Sequence, residues 1–240
     1  ISLLNLPSPM LRCLPSSGGT MKRTLILAIF GSLCLSSAVY AEPQCSATAA
    51  LATDGYPGAA TIPTSNNLIL PSGKSIESEG QKLFFSARLV DKECKPIPEA
   101  VIELWHVDPF GKRKLADKND LATPYPVFAG AGRAITDSDG RVTFTTAFPG
   151  VRKYWVGNKK TGRYVTHAPQ LNVRIKPPHM AEFSTVLFFE NDGRNYADPV
   201  YKKLSIERRR TVTMYTTPQE EDVSATIEIV LPNAARYRTY

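Results

Sequence analysis

The apolar positions beyond residue 80 fall in short runs of the kind that make strands. Lys82–Val90 and residues 100–107 are rich in branched and aromatic residues, and the stretch between them carries Pro96 and Pro98. They read as neighbouring strands joined by a turn. Residues 134–136 and 141–146 flank Asp137-Ser138-Asp139-Gly140, and Asp-Gly between β-branched runs predicts a hairpin. The alternating acids there resemble the opening of a calcium loop, but no bidentate Glu follows at the required place, so no calcium site is expected. Further strands are expected at 171–175, at Phe183–Phe189, at 210–215 and at 224–231, with no run that supports a helix of ten residues. Seven or more short strands with frequent turns predict an all-β fold, an antiparallel β-sandwich spanning residues 76–240. Residues 45–75 carry Ala, Thr, Ser, Pro and Gly without periodicity, so residues 42–75 are expected to form an arm of loops rather than packed structure. No internal repeat and no linker long enough to divide two domains is visible.

The beginning of the chain changes how the rest is counted. Met21-Lys22-Arg23 precedes an apolar run over 25–35 and then small residues ending at Val39-Tyr40-Ala41. A basic start, a short apolar segment and small residues at −3 and −1 make a secretory signal peptide over 21–41, cleaved after Ala41. The run is too short for a membrane span, which takes about 20 apolar residues, so no transmembrane segment is expected in the mature chain. Residues 1–20 read as an upstream extension that is not native. The expected location is the periplasm or the cell exterior.

The whole sequence carries 29 basic and 22 acidic residues, a formal +7. Loss of Arg12, Lys22 and Arg23 with the leader leaves 26 basic residues against 22 acidic ones, so the charge falls to +4. Basic triplets at 112–114 and 208–210 have no interleaved aromatic platform, and they read as solvated surface rather than a nucleic-acid site. An anionic envelope polymer fits such patches better. Only Cys45 and Cys94 remain after cleavage. In an exported chain they suggest one disulfide tying the arm to the body, with two free thiols as the alternative. No Gly-x-Ser-x-Gly elbow supports a serine nucleophile.

Several segments together resemble a known family. They are residues 98–108 (PEAVIELWHVD), Phe128-Ala129-Gly130-Ala131-Gly132-Arg133 leading into 136–140, Phe148-Pro149-Gly150, Leu187-Phe188-Phe189-Glu190-Asn191-Asp192, and the final strand at 227–231. In content and order they resemble the intradiol ring-cleavage dioxygenases, most of all the β-subunit type of protocatechuate 3,4-dioxygenase, over about residues 66–231. The resemblance implies the β-sandwich of that family and the capacity to form homo-oligomers. It also implies a ferric ion held by two tyrosinates and two histidines, the histidines as His-x-His on one strand. Alternate strand residues share a face, and phenolates suit a hard trivalent ion. A nearby Arg and Gln stabilise developing charge in such sites.

The ligand positions carry other residues here. The His-x-His pair aligns with Gln170 and Asn172, and the Arg before it aligns with His167. One family Tyr falls in a gap within 118–122; the second aligns with Arg152, or with Tyr154 if the turn is longer. The helper Gln becomes Val186. Neutral amides with at most one phenolate would not offset a ferric charge. Tyr154 and His167 are 13 residues apart, which matches the family's Tyr-to-His spacing and makes them candidate ligands in a shifted register, with Pro169 at the second His position. A relocated site from Tyr125, Tyr154, Tyr164 and His167 is a further arrangement, while His106 reads as a packed strand residue and His179 as a loop residue.

Two functions remain. One is a secreted, catalytically degenerate relative without iron that binds a protein, an envelope polymer or a small aromatic ligand, or has a structural role. The other is a working Fe(III) dioxygenase that cleaves catechol-type aromatics.

Overall fold

In the computed structural model, residues 44–70, 73–75, 78–113 and 127–232 are described. The signal peptide expected over 21–41, the upstream stretch 1–20, the segment 118–122 and Tyr125 lie outside them. Strands form where the sequence alternates. Strand β1 (Lys82–Val90) buries Leu83, Phe85, Ala87 and Leu89 and turns Phe84 outward. It is followed by β2 (Val101–Trp105), β3 (Ala131–Ile135), β4 (Arg141–Ala147), β5 (Arg152–Val156) and β6 (Arg163–His167). Then come β7 (Gln170–Lys176), β8 (Phe183–Phe189), the five-residue helix α1 (Ile206–Arg210), β9 (Thr213–Gln219) and β10 (Asp222–Val230). No described helix is long and apolar enough to cross a membrane.

Eight strands run in the order β3-β2-β7-β8-β9-β10-β1-β4, and β5 and β6 form a separate hairpin. The layers join at β9, where Thr213 and Met214 pair with β8 and the later residues pair with β10. Leu83, Phe85, Leu89 and Phe144 from one layer pack in a single core with Ile102, Leu104, Leu171, Val173, Ile175 and Leu187 from the other. The protein is thus the β-sandwich that the alternation predicts. Most pairings are antiparallel, while β1 with β10 and β8 with β9 are parallel.

Two local expectations are corrected. β1 and β2 are not neighbours: β1 lies between β10 and β4, and β2 between β3 and β7. The Pro96–Pro98 connection folds back on the end of β1, through Ile97 N–H to Leu89 O, and then enters the opposite layer. The Asp137–Gly140 segment does form a tight turn, with Asp137 Oδ1 accepting the N–H groups of Asp139 and Arg141. The strands it joins separate, however, because β3 pairs with β2 and β4 with β1. An ion pair between Arg133 and the buried Glu103 holds β3 to β2.

The arm is also more than loops. It has no strand, yet Thr48, Ala49, Ile62, Leu68 and Ile69 are buried. Backbone bonds from Thr48 N–H to Val230 O and from Leu68 N–H to Thr145 O dock it on the sandwich. Cys45 and Cys94 are joined by a disulfide, as one of the two readings of these cysteines holds.

Candidate functional site

The hairpin β5–β6 builds one wall of the site. Arg152 and His167 are paired across it, and Tyr154 lies two residues along. Alternation sends these three side chains to one face and Lys153, Trp155 and Tyr164 to the other. There Tyr164 is half-exposed, packed edge-on to Trp155 at 5.0 Å with the Lys153 ammonium 4.6 Å above its ring. The relocated site that would use Tyr164 together with Tyr154 and His167 is therefore not assembled.

Between this hairpin, β2, the start of β7 and the arm lies a cavity of about 290 Å³. β7 contributes Gln170 and Asn172, which share a face because they are two residues apart on a strand. β2 contributes Trp105, whose backbone is paired with Asn172. The arm closes the side with Gly55, Pro57, Thr61 and Pro63, and the loop after β2 brings in Arg113. That loop is shaped by the buried Asp108, whose Oδ1 accepts the N–H groups of Phe110 and Lys112. Gly111 lets the loop approach: its φ is +79°, and a β-carbon there would overlap the carbonyl of Val151 beside Arg152.

The charge in the cavity comes from residues far apart in sequence. The Asp54 carboxylate bridges the guanidiniums of Arg152 and Arg113. Its backbone is fixed on both sides, with N–H donating to Asn172 Oδ1 at 3.1 Å and C=O accepting from Trp105 Nε1 at 2.9 Å. Two residues on, the Tyr56 hydroxyl donates to Glu103 Oε2 at 2.9 Å. Glu103 also receives Lys176 and Arg133; burial alone would raise its carboxyl, but these donors outweigh it and hold it below its ordinary value.

Behind the hairpin, Asp198 Oδ2 accepts from His167 Nδ1 at 2.9 Å and from the Ala168 N–H at 3.0 Å. Burial would raise the Asp198 carboxyl, but the His167 bond and backbone donors at Val200 and Tyr201 hold it low. The carboxylate accepts, so Nδ1 carries the proton and Nε2 faces the Tyr154 hydroxyl, 3.2 Å away. Burial, and then the neighbouring Asp54 carboxylate, push the Tyr154 phenol above its ordinary value. Its ring also lies under the Arg152 guanidinium, 4.0 Å from the centroid.

His106 is packed, as its place in a strand suggests. A carbonyl can only accept, so Nδ1–H donates to Val107 O at 2.6 Å and Nε2 accepts from Thr146 Oγ1 at 2.8 Å. Burial drives its pKa down to about 4. His179 sits in the turn between β7 and β8. Arg208, Arg209 and Arg210 fall in α1 rather than in a loop or at a strand start.

Of the positions singled out in the sequence, Gln170, Asn172, Arg152 and His167 meet around the cavity, and Tyr154 touches two of them. Val186 does not: it is buried with Ala49, Phe188, Tyr201, Leu204 and Val212 in a second apolar cluster. Sequence reading missed Asp54 and Arg113. Among the described residues, no group of three or more His, Cys, Asp or Glu side chains could hold a metal ion.

Comparison with known proteins places this geometry. The family model described as Dioxygenase matches residues 59–232. The protocatechuate 3,4-dioxygenase beta chain of Burkholderia cepacia is 33% identical over 89 residues, 37% of each chain. A Rickettsia felis protein is 26% identical over 136 residues, which cover 52% of this chain and 57% of that one. The chain thus spans about half the length, or less, of these curated relatives. An intradiol ring-cleavage dioxygenase of Tetranychus urticae shares the fold with a TM-score of 0.59 at 19% identity, over 80% of this chain and 98% of that one. The dioxygenase domain of a dioxygenase carbohydrate-binding protein fusion from Streptomyces sp. SirexAA-E gives 0.57 at 21%, over 79% and 100%. With a family model spanning the sandwich and the same architecture in solved relatives, the chain belongs to the intradiol ring-cleavage dioxygenase family.

Proposed function

We propose that this chain is an exported, catalytically degenerate member of its family that binds a small aromatic ligand in the cavity beside the β5–β6 hairpin, without iron, in the periplasm or at the cell surface. The observation that carries this reading is the donor set of the cavity. A ferric ion of the family type needs anionic phenolates and free imidazole nitrogens. Here the Tyr154 phenol is pushed above its ordinary value, the opposite of what a phenolate ligand requires. Both ring nitrogens of His167 are engaged. Asn172 Oδ1 already accepts a backbone N–H, and Gln170 supplies a neutral amide. Two guanidiniums in the wall oppose a trivalent cation. These residues do not fit the ion.

They do fit an organic ring. A cavity of about 290 Å³ is near the lower end of ligand-pocket sizes, and Trp105, Pro57, Pro63, Val107 and Ala131 give it apolar walls. The disulfide and the leader pattern support export. The contact between Tyr154 and His167 favours the alternative, a working Fe(III) dioxygenase on catechol-type aromatics. Titration of tryptophan fluorescence with catechol and benzamide, run beside an oxygen electrode, separates the two. Saturable quenching without oxygen consumption is expected. Oxygen uptake with catechol, or no quenching by either compound, contradicts the proposal.

A further inference from the structure

This inference rests on the reading of the cavity as a ligand site and concerns what the ligand must carry. One carboxylate, Asp54, serves both guanidiniums at the cavity wall, which leaves an excess of one positive charge. The partners differ in burial: the Arg152 side chain is 5% exposed and Arg113 13%, whereas Asp54 is 41% exposed. The cations are thus built into the wall, and the anion is the partner that water can reach. A buried guanidinium without a carboxylate or equivalent acceptor is costly, so whatever displaces Asp54 must itself be an oxyanion.

The surroundings allow that exchange without moving the chain. The Asp54 backbone is held by Asn172 and Trp105 and the next turn by Tyr56, so rotation about the Asp54 side-chain bonds alone frees the two guanidiniums. Gly55, at φ +59°, keeps open the space that the Arg113 guanidinium fills, since a β-carbon there would overlap it. Gln170 adds an independent sign of an occupant, because its Oε1 is buried in the cavity wall without a hydrogen-bond partner. Reorienting that amide toward a ligand donor sacrifices no bond made by this oxygen.

We propose that Arg152 and Arg113 form an oxyanion clamp, that Asp54 fills it in the ligand-free protein, and that the acid group of an aromatic ligand takes the place of the Asp54 carboxylate. Planar, forked guanidiniums match such a group in two-point contacts. Asp54 is then a competitor built into the arm, and it lowers the affinity of the clamp for acids in solution.

Benzoate, benzamide and sulfate test this by calorimetry on the purified chain and on Asp54→Asn, Arg113→Gln and Arg152→Gln. Benzoate is expected to bind at least about tenfold more tightly than benzamide, a difference of about 1.4 kcal/mol. Asp54→Asn strengthens benzoate by about tenfold and leaves benzamide within about twofold. Either arginine variant removes the preference; Arg113→Gln reports even if loss of the more buried Arg152 prevents folding. Competition by sulfate identifies a clamp for oxyanions in general, and its failure to compete identifies one for carboxylates. Equal binding of benzoate and benzamide, unchanged in Asp54→Asn, overturns the clamp and leaves the aromatic-ligand reading intact. Failure of every variant to bind either aromatic overturns both.

Discussion

Single residues in this protein show how burial decides chemistry. His106 is neutral because nothing beside it compensates the loss of water, and its pKa falls from 6.5 to about 4. A folded value below the unfolded one means that the unfolded chain takes up the extra proton as pH falls through 6.5. Stability is therefore full above that pH and declines by about 1.4 kcal/mol per unit toward pH 4. Urea unfolding is expected to show a loss of about 2–3 kcal/mol between pH 6.5 and about pH 4.5, absent in His106→Gln. The carboxylates held low, Asp198 and Glu103, contribute only below about pH 4.5, outside that window. At Gly55 the constraint is conformational. Gly55→Ala places a side chain at φ +59° and pushes the Arg113 guanidinium away from Asp54. A cost of about 1 kcal/mol in urea unfolding is expected, with benzoate affinity reduced in the same variant.

At the scale of elements, β1 and β8 were legible to their end residues because their apolar positions alternate or run unbroken between turns. The hairpin β5–β6 was not. Arg152-Lys153-Tyr154-Trp155-Val156 and its partner strand put polar and aromatic residues on both faces, so no period marks them, although this hairpin carries half of the site. The arm was illegible for a related reason. Its packing is made by scattered backbone bonds and single residues such as Leu68, and Asp54 meets Arg152 from 98 positions away, where no spacing rule applies. Gln170 and Asn172 could be placed because a strand fixes which residues share a face. The disulfide holds the arm where the site needs it. It closes a loop of 49 residues, so Cys45→Ser with Cys94→Ser is expected to lower stability by about 4 kcal/mol on the chain-entropy view. Chemical denaturation of the double variant measures this, and an unchanged midpoint would show that the backbone bonds of the arm suffice.

For the whole molecule, the family fold is kept while the place of its chemistry is refitted. The two layers, the parallel closure of β1 against β10 and the cavity at the end of β7 provide the scaffold. On it stand amides where the family pattern has imidazoles, and an arginine-lined wall closed by an arm residue. The central claim, that this set of residues takes an organic ligand and not a ferric ion, is open to one direct test. The purified chain is incubated with ferric citrate, desalted, and assayed for bound iron by elemental analysis together with its visible spectrum. The account predicts a colourless protein with iron far below one per chain. Stoichiometric iron with the red-brown absorption of tyrosinate bound to ferric ion would contradict it.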